Sequence, residues 1–175
     1  PGSVTADQEL FGVDPKQGGA MTQEAIEIIL YLWEHDPPYE YEGKYWSFKL
    51  KDTVDEETAI GYNHRPLPQT PPPLSNPDMS PNSSSAKFAG ARGYQPFAHC
   101  LIPGNVVADC WQTYEAAALE AGRQPQHSDF KVARSIFLAD TTKEAVEKAR
   151  ANSLCQNYEY IGRLFDMGLG RRIYK

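Results

Sequence analysis

The segment Ser80-Pro81-Asn82-Ser83-Ser84-Ser85 carries the clearest chemistry in this 175-residue chain. A hydroxyl residue followed by proline reads as a helix start, with Ser80 as the N-cap and Pro81 as the first helical residue, where its missing N–H costs nothing. The free N–H groups of Asn82, Ser83 and Ser84 would then leave the helix end together with the positive end of its dipole, and the Ser80 and Ser83 hydroxyls would add two donors. That set suits a phosphate. The dipole contributes about 0.3 to 2 kcal/mol to a bound anion, and charge-assisted hydrogen bonds add to it. The same string also caps helices that bind nothing.

Other chemistry-bearing residues point less sharply. Cys100, Cys110 and Cys155 are odd in number, widely spaced and without the Cys/His pairing that zinc requires, so reduced thiols and no metal site are expected. Asp55-Glu56-Glu57 has no His or Cys beside it and reads as a solvated turn. Tyr39, Tyr41, Tyr45, Trp46 and Phe48 read as hairpin packing, not as a stacking platform for bases. His64-Arg65 precedes a proline-rich stretch and is a candidate for a mobile loop.

These residues need elements to hold them. Residues 1 to 18 read as a loop, with Asp14-Pro15 able to cap a helical turn. From Gly19 to His35, Met21, Ala25, Ile28, Ile29 and Leu32 fall at helical spacing, which predicts an amphipathic helix ended by Pro37-Pro38. Tyr39 to Phe48 predicts a hairpin around Glu42-Gly43, and residues 50–73, rich in proline, predict a long surface excursion. A helix from Ser80 to Gly93 follows, then a buried strand from Pro96 to Ile102. Next come a helix from Pro103-Gly104 to Gly122 with Val107, Trp111, Tyr114 and Ala118 on one face, and a strand from Phe130 to Ala139. Asp140-Thr141-Thr142 with Glu144 predicts a capped helix that runs past Ala145, Ala149 and Leu154, and Tyr158, Ile161 and Leu164 suit a further one. Alternating strands and helices from about residue 74 predict an α/β class with a parallel sheet.

Composition excludes some functions. With 41% hydrophobic and 11% aromatic residues the chain can bury a core, and one domain spanning 1–175 is the default reading. A net charge of −6 and scattered Lys and Arg argue against nucleic acid and anionic lipid as partners. No apolar run approaches the ~20 residues that span a bilayer, so a soluble, cytoplasmic protein without a membrane partner is expected. The opening Pro1-Gly2-Ser3 has none of the regions of a signal peptide.

Several motifs occur in an order that resembles the bacterial luciferase-like flavin monooxygenases. They are Leu10-Phe11-Gly12-Val13-Asp14, the run from Glu24 to Trp33, Glu42-Gly43-Lys44-Tyr45-Trp46, Met79-Ser80-Pro81-Asn82-Ser83 and Ala89-Gly90-Ala91-Arg92-Gly93. Trp111-Gln112-Thr113-Tyr114-Glu115 and Ala121-Gly122-Arg123 place the likeness in the limonene and diketocamphane monooxygenase branch. The resemblance implies a TIM (β/α)8 barrel, represented here by an incomplete central portion. It implies reduced FMN supplied by a separate flavin reductase, O2 and a small apolar substrate of terpenoid, aldehyde or ketone type, in a homodimer or heterodimer. Carried over residue by residue, the flavin phosphate falls to Gly2 and Ser3 and to Met79, Ser80 and Ser83. Pro1 stands where luciferase places an arginine that also touches the phosphate. Barrel active sites lie at the carboxyl ends of strands, so His99, Cys100 and Leu101 are the candidates for the substrate and flavin pocket, with ordinary strand packing the plainer reading. The catalytic residues are not identified; chemistry in such enzymes belongs mainly to the flavin. A noncatalytic flavin-binding relative and a deazaflavin-dependent oxidoreductase of the same fold remain alternatives. A parallel barrel takes eight units and typically ~250 residues, so four leading units and a closing one are expected to lie in further polypeptide.

Overall fold

The computed structural model describes residues 4–66, 72–153, 156 and 159–163. Gly2, Ser3, Cys155, and the residues expected to continue the last helices at Leu154, Tyr158 and Leu164 lie outside them. The chain divides into two compact units, Pro1–Pro72 and Pro73–Lys175.

In the first unit, α1 (Thr5–Leu10) forms where a loop is expected, with Asp7 in its first turn and Gly12, at φ 64°, just beyond its end. A glycine such as Gly12, placed where it closes a helix, leaves the preceding turn free to form. α2 (Gly18–Glu34) lies where the periodicity places it, yet its side chains are half-buried or exposed, and Ile29 is 44% exposed. β1 (Tyr39–Glu42) and β2 (Ser47–Leu50) pair antiparallel, with Tyr41 opposite Phe48 and their rings stacked at 5.6 Å. The Glu24 carboxylate of α2 accepts from the amides of Lys44, Tyr45 and Trp46, gripping the hairpin turn. Gly43 leaves room for that grip, since a Cβ there would push the Glu24 carboxylate aside.

Among the described residues the excursion after β2 is irregular apart from a single bridge, Asp55 to Ile60. Its Asp55 carboxylate accepts from the Thr58 amide and hydroxyl, the turn expected of the acidic run. It is also pinned. The Asn63 amide donates to the Tyr39 hydroxyl, and Arg65 pairs with Asp36 at 2.5 Å, so His64-Arg65 sits on an anchored segment.

The second unit is a parallel sheet with helices. β3 (Ser75–Pro77), α3 (Ser84–Arg92), β4 (Gln95–Ala98), α4 (Gly104–Glu120), β5 (Lys131–Val132) and α5 (Thr142–Arg150) follow in that order, and the strands lie β3-β4-β5. β3 pairs with β4 at Ser75–Gln95, and β4 with β5 at Phe97–Lys131. The core lies between α3 and α4, where Ala86 and Ala89 meet Val106, Cys110 and Tyr114, with Ile102 from the loop after β4. The small residues let the helices close up. Gly90 faces the Tyr114 backbone carbonyl and Ala117 so closely that any side chain there would collide. α3 ends as expected on Gly93, in the left-handed conformation at φ 73°.

Besides the strand expected from Pro96 to Ile102, which spans Gln95–Ala98, two expectations for this unit need correction. The strand expected from Phe130 to Ala139 is only two residues long, since the ladder to β4 ends at the bond from Ala133 N to Ala98 O. Ile136 and Leu138 beyond it are 78% and 86% exposed. Alternation marks a segment able to be a strand, but a partner must supply the ladder. The second correction is the start of α3, taken up next.

Candidate functional site

β3 runs into the turn that precedes α3. The Asp78 amide donates to Phe97 O at 2.9 Å, carrying the β3–β4 ladder one residue past the strand, and the Asn76 side chain donates to Ser85 O at 3.0 Å. The helix then starts at Ser84 with Ser83 as its N-cap; Ser80 is not the cap, nor is Pro81 the first helical residue. The reason is Asn82. It adopts the left-handed conformation, φ 50°, which Asn tolerates better than most residues, and this turns the chain before the helix can begin.

The shift reassigns the donors. The Asn82 amide, expected to be free, donates to the Asp109 carboxylate of α4 at 2.6 Å. The Ser83 hydroxyl is buried, accepts from the Ala86 amide at 3.2 Å and donates to Asp78 Oδ1 at 3.3 Å. Ser80 is half-buried, and its carbonyl accepts from the Cys110 thiol at 3.4 Å. Met79 packs its side chain against the core. Among the described residues nothing accepts from the amides of Ser84 and Ser85 or from the Ser80 hydroxyl. The two amides open a nine-residue helix, at the positive end of its dipole, where an anion is favoured.

Sequence reasoning missed two acids beside it. Asp78 is completely buried, and its Oδ2 has no partner among the described residues. Burial pushes its carboxyl up to about 7, with the Ser83 hydroxyl acting in the opposite direction. Burial, then the nearby Asp78 and Asp109 carboxylates, push the Cys110 thiol up to about 11, so it stays a neutral thiol. Each acid interrupts an otherwise small or apolar local run, Pro77-Asp78-Met79 and Val106-Val107-Ala108-Asp109-Cys110. That interruption was the available signal.

His99, Cys100 and Leu101 follow β4 at its carboxyl end. His99 is exposed and its Nδ1 accepts from the Leu101 amide at 3.3 Å, with Cys100 Sγ 3.7 Å away. Leu101 is buried. A cleft of about 200 Å3 opens at the other end of β4, between Gln95, Tyr114, Arg123 and Asp129. The three candidates and the cleft are therefore at opposite ends of the strand. Among the described residues there is no group of His, Cys, Asp and Glu arranged to hold a metal.

This α/β arrangement, a parallel sheet with a helix start placed after each strand, matches a known family over residues 1–168, that of the luciferase-like monooxygenases. The chain belongs to the luciferase-like monooxygenase family. Its curated relatives include 3,6-diketocamphane 1,6-monooxygenase of Pseudomonas putida, 30% identical over 140 residues, which are 77% of this chain and 36% of that protein. A second is 2,5-diketocamphane 1,2-monooxygenase 1 of the same organism, 32% identical over 141 residues, 78% of this chain and 38% of that one. Among solved structures, this luciferase-like chain superposes on a type II Baeyer-Villiger monooxygenase, the oxygenating constituent of P. putida 3,6-diketocamphane monooxygenase in complex with FMN. The TM-score is 0.71 at 25% identity, covering 95% of this chain and 47% of that one. The fold is thus that of the luciferase-like TIM barrels, as the resemblance implies, and the chain spans less than half the length of these relatives.

Proposed function

We propose that this chain is part of an FMN-dependent monooxygenase that uses reduced FMN, delivered by a separate flavin reductase, and O2 to oxygenate a small apolar ketone or terpenoid. The observation that carries the reading is the family membership together with relatives that act as diketocamphane monooxygenases. That the related solved structure is an FMN complex favours FMN over a deazaflavin. We take residues 1–175 as part of one barrel domain, in a soluble, cytoplasmic and dimeric enzyme. No helix among the described residues is long and apolar enough to cross a membrane.

The residues at the start of α3 fit the phosphate end of the cofactor. The Ser84 and Ser85 amides and the Ser80 hydroxyl are donors without acceptors among the described residues, and the dipole of α3 favours an anion beside them. Ser83 supports them as the cap that fixes the helix start, and Met79 by anchoring the turn in the core. Gly2 and Ser3 belong to the second phosphate loop in this proposal. When bound, reduced FMN supplies the activation of O2. The protein's part is binding, orientation and exclusion of water, with His99, Cys100 and Leu101 at the strand end as the candidate pocket wall.

Titration of the purified protein with oxidised and with reduced FMN, followed by turnover with NADH, a flavin reductase and a cyclic ketone, tests this. Oxygenated product is the expected result. Tight flavin binding without product would make the chain a noncatalytic flavin-binding relative, and absence of binding would remove the reading.

A further inference from the structure

The Asp78 carboxyl is wholly excluded from solvent, with one oxygen on the Ser83 hydroxyl at 3.3 Å and the other without a partner among the described residues. An ionised carboxylate is acceptor-only, with roughly four lone-pair positions, and burial is costly unless they are filled. One neutral donor does not fill them. The surroundings therefore favour the neutral acid, in keeping with the upward displacement of its titration to about 7.

Among the described residues, the groups that act on the Asp78 carboxyl add no positive charge. From the cap of α3 comes the Ser83 hydroxyl, and on the β4 side the Asp78 backbone amide is held by the Phe97 carbonyl. α4 brings the Cys110 thiol, which feels both the Asp78 and the Asp109 carboxylates. Asp109 itself reaches the turn from its outer side, on the Asn82 amide. An anion at the Ser84 and Ser85 amides would stand at the same helix start as an ionised Asp78, and like charges sharing a site disfavour each other.

We propose that the anion site at the start of α3 is proton-linked: it gains a proton on the Asp78 carboxyl as it takes up an anion, and loses the anion as Asp78 ionises. This deepens the phosphate-end reading above and rests on it. With Asp78 neutral, the positive end of α3 carries no buried countercharge behind its cap, and its free amides are left for the incoming anion. With Asp78 ionised, that end is already countered from the inside through the Ser83 cap. Asp78 is a positioning residue in this scheme, acting through the helix start.

Sulfate is the probe, because it keeps its charge through the neutral range whereas a phosphate monoester titrates with a second pKa of about 6. Calorimetric titration of the full chain with sulfate, in buffers of different ionisation enthalpy, counts protons taken up per anion without any variant. The expected result is net proton uptake near pH 7 and an affinity that falls, by at most about tenfold per pH unit, above it. Asp78→Asn is expected to bind sulfate with neither effect. Sulfate binding without proton uptake, flat from about pH 6 to about pH 8, overturns the proposal, as does the absence of sulfate binding at any pH. Ser84→Pro locates the anion: it removes one donor at the first helical position, where proline is tolerated, and Ser83 already has the extended backbone that precedes proline. Unchanged sulfate affinity in that variant also overturns the proposal. Competition with FMN separates the two readings. Sulfate that FMN displaces but that itself binds without proton uptake leaves the phosphate-end reading and ends the linkage, while proton-linked sulfate that FMN cannot displace ends the flavin reading. Where Asp78→Asn fails to fold, the wild-type proton count decides.

Discussion

Two helices of the second unit begin with the same bond. Ser83 Oγ accepts from the Ala86 amide at 3.2 Å at the start of α3, and Thr141 Oγ1 accepts from the Glu144 amide at 3.2 Å at the start of α5. Around α5 little else happens: Thr141 is exposed, and Glu144 pairs with Lys148 one turn on, at 2.5 Å. Around α3 the cap hydroxyl is only 4% exposed, donates to a buried acid, and follows a turn tied to α4 by Asp109 and Cys110. A capping string marks where a helix starts. Whether the start is also a site depends on what stands behind it, which belongs to a distant part of the chain.

The contrast can be broken by experiment. Ser83→Ala should cost on the order of 2–4 kcal/mol, a lost cap plus a lost partner for a buried carboxyl, against about 1 kcal/mol for Thr141→Ala. Chemical denaturation of both measures it, and equal losses would erase the distinction. Gly90→Ala should cost about 1–3 kcal/mol by forcing α3 away from the α4 backbone. A loss comparable to an exposed helix substitution, within about 0.5 kcal/mol, would mean that α3 has slack.

Asp78 sharpens the comparison through pH. Its ordinary value is 3.8 and its folded value about 7, so between them the folded protein keeps a proton that the unfolded chain has released. The stability from neutral Asp78 is full below about pH 4 and is lost as pH rises through about 7. Asp78→Asn should flatten that decline, and denaturant midpoints across this range read it; a variant with the wild-type slope would assign the loss to other groups. The smallest effects are expected from proline at the first helical position. Ser84→Pro and Thr142→Pro should each change stability by no more than about 0.5 kcal/mol, while only Ser84→Pro weakens sulfate binding.

Local signals in the sequence carried far. The α2 periodicity, the hairpin after Pro37-Pro38, the Gly93 helix end and the Thr141 cap all act through neighbours within a few residues, and each stands where it was read. What failed depended on distant partners. The alternation from Phe130 to Ala139 is sound, but a strand needs a ladder, and β4 supplies it only as far as Ala133. Ser80-Pro81 was a fair helix start until Asn82 took the left-handed conformation, its amide claimed by Asp109, 27 positions away. Of the candidate site, the segment was legible and its chemistry only partly so: Ser80 keeps a free hydroxyl, Ser83 turns inward, and Asp78 drew no notice.

The contact at Gly90 has a mechanical meaning. A helix resting directly on the bare carbonyl of another has no side chain to act as a cushion, so α3 can neither roll nor slide without lifting off α4. The turn that opens α3 is thereby held at a fixed distance from α4, as one piece with the helix behind it.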